Sequence, residues 1–276
     1  MTENIKDYRL DGIYRQRQDG FFMQRVKLAA GVIASDQART VAAVSERFGQ
    51  GTIHLTSRGS MEIHWLREAD LPLVKQQLAM TGLTSRGACG GAVRGVTCSS
   101  QGAAGFPAAE TMTRRIHRHF TANPRFERLP KKFKIGVEAD PAGRRHLIQD
   151  VGLVLSGCDE SGACYDLYAG GGLGKEPQAG FLFETAVSEN RVIPLIEAIA
   201  RVYAAHTPAG KRLKHLLRDK GEEEFRRLVA LEPAASEELP PVSGLQENLV
   251  RIPGDRRICA RIFAGSLTAG QLVELA

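Results

Sequence analysis

The stretch GTIHLTSRGSMEIHWL, residues 51–66, reads as two short strands that meet at Arg58-Gly59-Ser60. Apolar residues recur at every second position on either side of that turn. This is the period of a strand with one buried face, and Gly59 supplies the tight connection. Just upstream, GFFMQRVKLAAGVI, residues 20–33, is rich in β-branched and aromatic residues and predicts a further strand. Between the two lies SDQARTVAAVSERFG, with a Ser-Asp start, helical spacing of Val41, Val44 and Phe48, and a glycine stop, so a helix is expected there. A second helix over Leu71–Met80 completes a small α+β unit.

Farther along, a glycine-rich loop, SRGACGGAVRGVTCSSQGAAG, leads into AAETMTRRIHRHFTAN, whose spacing predicts a helix. Its RRIHRHF segment, Arg114–Phe120, places Arg114, His117 and Arg118 on one face and reads as a solvated basic surface. Strands are expected at Lys132–Glu138, Leu147–Leu155 and Tyr165–Ala169. Ser188–His206 reads as an amphipathic helix that tolerates Pro194 only in its first turn. One or two charged helices follow in KRLKHLLRDKGEEEFRRLVAL, and EPAASEELPPVSG has the composition of a linker.

Beyond that linker the chain begins again. LAAGVIASDQARTVAAV, residues 28–44, resembles RIFAGSLTAGQLVELA, residues 261–276, with Gly31 and Gln37 spaced like Gly265 and Gln271. An internal repeat is expected, its second copy stopping inside the first helix.

Bulk composition narrows the classes. With 43% hydrophobic and 25% charged residues the chain is that of a soluble globular protein, and no apolar run reaches the roughly 18 residues of a membrane helix. The polar start, MTENIKDYRL, lacks the apolar centre of a secretory signal. Five scattered cysteines do not form a disulfide framework, so a cytoplasmic, reducing location is expected. A net charge of +6 admits an anionic substrate, cofactor or acidic partner. No aromatic interleaving or recognisable module points to nucleic acid.

Three basic stations stand out: Arg58 at the strand turn, Arg94 in the glycine-rich loop, and the segment LPKKFKIGVEADPAGRR, residues 129–145. There Lys132 and Lys134, two positions apart, project to one face of a strand, with Lys131 beside them. Paired ammonium groups on one face repel unless an anion lies between them. Arginine offers a planar fork to an oxyanion, and lysine a compact charge with a transferable proton.

In order along the chain, FMQRVKLAAG, LTSRGSMEIHWL, GGAVRGVTC, LPKKFKIG, DVGLVL and YAGGGLG resemble the siroheme-dependent nitrite and sulfite reductases. The resemblance spans nearly the whole chain. It implies a ferredoxin-like half-domain over 1–82, a siroheme-binding nitrite/sulfite reductase domain over 83–231, a linker at 232–246 and the start of a second half-domain at 247–276. It implies that Arg58, Arg94, Lys132 and Lys134 hold nitrite or sulfite, and that Arg58, Arg94, Lys131, Lys132 and Lys134 neutralise carboxylates of siroheme. It also implies electrons from an acidic donor such as ferredoxin or a flavoprotein, and a [4Fe–4S] cluster in the complete enzyme.

The family's cluster cysteines are absent here. Cys98 stands at the first position, Ala104 at the second, and Asp140 and Arg144 at the remaining two, within ADPAGR. Such clusters are generally held by four thiolates. The pattern is that of an N-terminal half whose cluster ligands lie in a C-terminal half or partner chain; a degenerate, non-catalytic siroheme-binding or scaffolding subunit, or an inactive fragment, is the alternative. Cys158 and Cys164 flank DESGA and read as incidental residues of a hairpin. The run AGGGLG lacks the spacing of a dinucleotide loop.

Overall fold

Ser35–Phe48 forms helix α1, whose Ala38, Val41, Ala42 and Val44 are buried in one stripe, and it stops at Gly49. In the computed structural model, residues 8–98, 102–159, 162–233 and 265–276 are described. They divide into two units, Met1–Cys89 with Pro241–Ala276, and Gly90–Pro240.

The first unit is built on strands β1 (Ile13–Arg15), β2 (Phe21–Val26), β3 (Thr52–Leu55) and β4 (Met61–Arg67), with α2 at Leu71–Met80. The expected strand at the start ends at Val26, because Ala30 and Gly31 both turn to positive φ just beyond it. The 51–66 stretch forms the antiparallel pair β3–β4, with Ile53 opposite Ile63. A late strand, β10 (Ser266–Thr268), lies antiparallel to β3 and completes the order β1-β2-β4-β3-β10. Its Leu267, with Ala269 and Leu272 of α7 (Ala269–Leu275), joins the same core as Val41, Ile53 and Ile63. The two segments of the repeat share a local geometry as well. Gly31 and Gly265 have φ of 72° and 71°. Gln37 accepts the Ala34 N–H at 3.2 Å, and Gln271 accepts that of Thr268 at 2.9 Å, each from the third helical position.

The second unit holds β5 (Thr97–Cys98), α3 (Phe106–Phe120), β6 (Ile135–Glu138), β7 (Val151–Asp159), β8 (Gly162–Ala169) and β9 (Phe181–Ser188). Sheet order is β5-β6-β7-β8-β9; the first two pairings are parallel and the last two antiparallel. Helices α4 (Glu189–His206), α5 (Leu213–Lys220) and α6 (Glu222–Leu231) follow, the last two parted at Gly221.

Several sequence expectations shift here. The strand expected from Lys132 begins only at Ile135, and that expected from Leu147 begins at Val151, after a short 3-10 turn at Arg145–Ile148. Pro194 lies at the sixth position of α4, past its first turn, where its ring nitrogen leaves the Asn190 carbonyl without an intrahelical donor. Nor is the Arg114–Phe120 face a solvated basic stripe. His117 is buried, Arg114 pairs with Glu110 at 2.9 Å, and His119 contacts buried Glu197 at 2.7 Å; Arg118 is exposed. The linker at 232–246 falls almost wholly outside the described residues.

One charged pair ties the first sheet together. Glu62 on β4 takes a hydrogen bond from Arg25 Nε on β2 at 2.9 Å and faces His64 at 3.4 Å. Burial alone would raise its carboxyl, but His64 and Arg25 outweigh burial and lower it from 4.5 to about 2. The depressed value stabilises the fold above 4.5, and that contribution is lost as pH falls toward about 2. Glu62→Gln is expected to cost on the order of 2 kcal/mol near neutrality and to flatten the pH dependence of urea unfolding below pH 4.5. An unchanged acid limb would show that the pair contributes nothing.

Candidate anion-binding site

Arg58 sits in a turn that its own neighbours close. Thr56 N–H donates to Ser60 O at 2.8 Å, and the Thr56 hydroxyl accepts from the Ser60 N–H at 3.1 Å. Gly59 has φ of 69°, and a Cβ there would stand 2.7 Å from Gly31 Cα, so only glycine lets the two loops cross. Arg58 is thereby held half-buried at the end of the β3–β4 hairpin in the first unit.

The other stations belong to the second unit and lie side by side. Residues 91–94 run along residues 129–133. Leu129 N–H donates to Gly91 O at 2.7 Å, Phe133 N–H to Ala92 O at 3.1 Å, and Arg94 N–H to Phe133 O at 2.9 Å. A Cβ at Gly91 would lie 2.2 Å from Leu129 O, which explains the glycine ahead of the arginine. Arg94 is only 8% exposed, and its Nη2 donates to Gly90 O at 2.9 Å.

Lys132 and Lys134 occupy an extended lead-in to β6. Phe133 and Ile135 are fully buried, whereas both lysines are partly exposed, so the two ammonium groups share the opposite face. Lys131 is exposed. Burial lowers the Lys132 amine below the usual lysine value, and Arg212, Arg94 and Lys131 lower it further; Asp150 alone opposes them. Three cations thus act on one amine.

Arg212 and Asp150 escaped the sequence reading. Arg212 Nη2 donates to Asp150 Oδ2 at 2.6 Å and Nε to Oδ1 at 3.2 Å, with the carboxylate wholly buried. Burial pushes the Asp150 carboxyl up, while Arg212 and the Lys134 N–H pull it back. Asp150 opens the DVGLVL motif, but no spacing rule connects it to an arginine so far along the chain. The glycines of YAGGGLG answer to the same packing. A Cβ at Gly171 would meet Leu147 O at 2.2 Å, and one at Gly172 would meet the Arg212 guanidinium at 3.0 Å.

At the cluster positions the chain has built something else. Glu138 accepts the N–H groups of Arg145 at 3.0 Å and His146 at 3.2 Å, as well as His146 Nδ1, gathering the Asp140–Arg144 turn around a buried carboxylate. Among the described residues, no group of three or more His, Cys, Asp or Glu could hold a metal ion, and the ligands of a [4Fe–4S] cluster are not found there. Cys164 lies opposite Gly157 across the β7–β8 ladder, as expected of a hairpin residue. Among the described residues, no helix is long and apolar enough to cross a membrane.

One unit with a mixed sheet, helices and a cationic station, and another with an antiparallel sheet, define an α+β protein. Residues 92–237 match the family described as nitrite and sulphite reductase 4Fe-4S domain, and residues 14–81 the nitrite/sulfite reductase ferredoxin-like half domain. The chain belongs to the nitrite and sulfite reductase family. It is 28% identical over 255 residues to sulfite reductase [ferredoxin] 1 of Mycolicibacterium paratuberculosis, covering 82% of this chain and 45% of that protein. Against the assimilatory ferredoxin-dependent nitrite reductase of Haloferax mediterranei it is 29% identical over 240 residues, covering 78% and 41%. The solved structure of the Mycobacterium tuberculosis NirA protein shares the fold, with a TM-score of 0.77 at 24% identity over 99% of this chain and 56% of that one. The chain therefore spans about half the length of the relatives it matches.

Because Gly91 lies against the Leu129 carbonyl, Gly91→Ala is expected to destabilise the second unit by about 2 kcal/mol through overpacking. A melting temperature within a degree or so of the parent's would refute that steric account.

Proposed function

We propose that this chain is the anion-binding half of a siroheme-dependent reductase that converts sulfite to sulfide or nitrite to ammonia. The observation that carries the reading is the cationic group of Arg94, Lys132 and Arg212, in which the carboxylate that acts on Lys132, Asp150, is already committed to Arg212. A small oxyanion entering there gains Coulomb energy from these cations, while the Asp150 carboxylate is held by Arg212.

The donor set suits siroheme, whose rim of carboxylates calls for a basic lining. Arg58, Arg94, Lys131, Lys132 and Lys134 are the residues assigned to neutralise it. When bound, siroheme would supply an iron centre for reduction of the oxyanion. Arg58, Arg94, Lys132 and Lys134 orient the oxyanion and offset its charge. Lys132, its amine lowered by burial and neighbouring cations, is the assigned proton donor as oxygen leaves as water. No electron-transfer step is assigned to the described residues, since the cluster ligands do not fit there. The C-terminal half or a partner chain would hold the cluster, and ferredoxin, named in the relatives, would supply electrons in the cytoplasm. The divisions 1–82, 83–231, 232–246 and 247–276 are the domain arrangement of this proposal.

The absence of cluster ligands among the described residues also favours a second reading, a siroheme-binding or scaffolding subunit without turnover of its own. In the longer enzyme, Lys132→Met and Lys134→Met are each expected to lower kcat at least a hundredfold, within the range of lost general-acid and electrostatic contributions, while the visible spectrum of bound siroheme persists. Full turnover by both variants would overturn the catalytic reading. A lowered lysine also sets a sign: activity falls as pH rises past the Lys132 value, and Lys132→Arg moves that alkaline limb upward. An unmoved limb would remove the proton-donor role.

A further inference from the structure

We propose that the buried Asp150–Arg212 pair is the positioning device of the anion site, holding the Lys132–Lys134 segment extended while Arg212 adds its charge to that of the lysines. The inference rests on the oxyanion role proposed above for those lysines.

The geometry is specific to that segment. Lys134 precedes β6, so the regular ladder does not yet hold it. Its C=O accepts the Val151 N–H at 3.1 Å, and its own N–H donates to Asp150 Oδ2 at 2.8 Å. Both backbone polar groups of Lys134 are thus tied to two consecutive residues at the head of β7. Phe133 makes its pair of bonds on the other side, to Ala92 and Arg94. The carboxylate extends the parallel pairing one residue upstream and leaves the lysine side chains on a single face.

Arg212 completes the device from the start of α5. It occupies both oxygens of Asp150, and Gly172 leaves room for its guanidinium. The same helix holds the loop that carries Gly172, through Lys214 to Leu173 O at 3.4 Å and Arg218 to Gln178 at 2.7 Å. Tyr203 donates its hydroxyl toward Lys131 O at 3.2 Å and Lys211 O at 2.8 Å, joining the lysine segment to the residue before Arg212. A purely structural role explains this poorly, because a buried ion pair is often no more stabilising than apolar residues of the same volume. Its distinctive product is the placement of one backbone N–H and of a guanidinium that acts on the Lys132 amine more strongly than its partner carboxylate does.

Arg212, Arg94 and Lys131 lower the Lys132 amine and Asp150 raises it, and the Lys134 ammonium shares its face. Competitive acetylation of Lys132 in the full 276-residue chain, followed by mass spectrometry as a function of pH, reads that balance without turnover. Arg212→Gln is expected to move the labelling midpoint up by about one pH unit, a tenfold change in proton affinity. Asp150→Asn is expected to move it down, and Arg212→Lys to restore it. Opposite shifts are a signature that loosened packing does not produce. If either single variant fails to fold, the double variant Asp150→Asn with Arg212→Gln leaves no unpaired buried charge; its midpoint is expected above the parent's but below that of Arg212→Gln. Midpoints that stay fixed in folded variants, or that shift in the same direction in both single variants, overturn the proposal. The catalytic reading fails separately, through retained turnover of Lys132→Met in the longer enzyme.

Discussion

The carboxylate of Asp150 is the point at which three segments of the second unit meet. It receives two bonds from Arg212 and one from the Lys134 backbone, and so joins the head of β7, the approach to β6 and the start of α5. A buried charge without such partners would cost several kcal/mol. Satisfied threefold, it becomes a fixed origin from which the lysines extend. Of the positive charges gathered around Lys132, that of Lys131 reaches solvent, buried Arg94 donates to Gly90 O, and buried Arg212 meets a matched carboxylate.

Glycine makes this convergence possible. Gly91, Gly171 and Gly172 each stand where a Cβ would strike a backbone carbonyl or the Arg212 guanidinium. Their shared requirement is space: Gly91 lets its loop reach the Leu129 backbone, Gly171 lets the next loop reach the Leu147 backbone, and Gly172 leaves room for Arg212. In the glycine run AGGGLG, Gly171 and Gly172 answer to the protein's own packing.

Two further features bear on the family resemblance. Where cluster cysteines stand in relatives of the implied pattern, Glu138 draws two backbone N–H groups and His146 around itself, so the turn is closed by a carboxylate. In the first unit, the returning segment adds β10 to the sheet already built and buries Leu267 and Leu272 in the existing core. The matching roles of Gln37 and Gln271 at their helix starts give the short sequence repeat a physical basis.

Local pattern carried much of this by itself. Alternation over residues 51–66, helical spacing over Ser35–Phe48 and Leu71–Met80, and the order of basic stations were all legible, because period and turn chemistry act between neighbours. The three cluster positions without cysteine were marked by the family resemblance, not by pattern. Strand starts were misplaced at Ile135 and Val151 because an extended segment and a ladder strand share the same alternation; only the partner's hydrogen bonds separate them. His117 and Arg114 looked solvated until the α3 packing buried one and paired the other. Arg212 and Asp150 are 62 residues apart, so their pairing belongs to tertiary structure alone. Spacing along the chain is silent about such partners, since a long-range ion pair is selected by where the backbone brings two charges out of water.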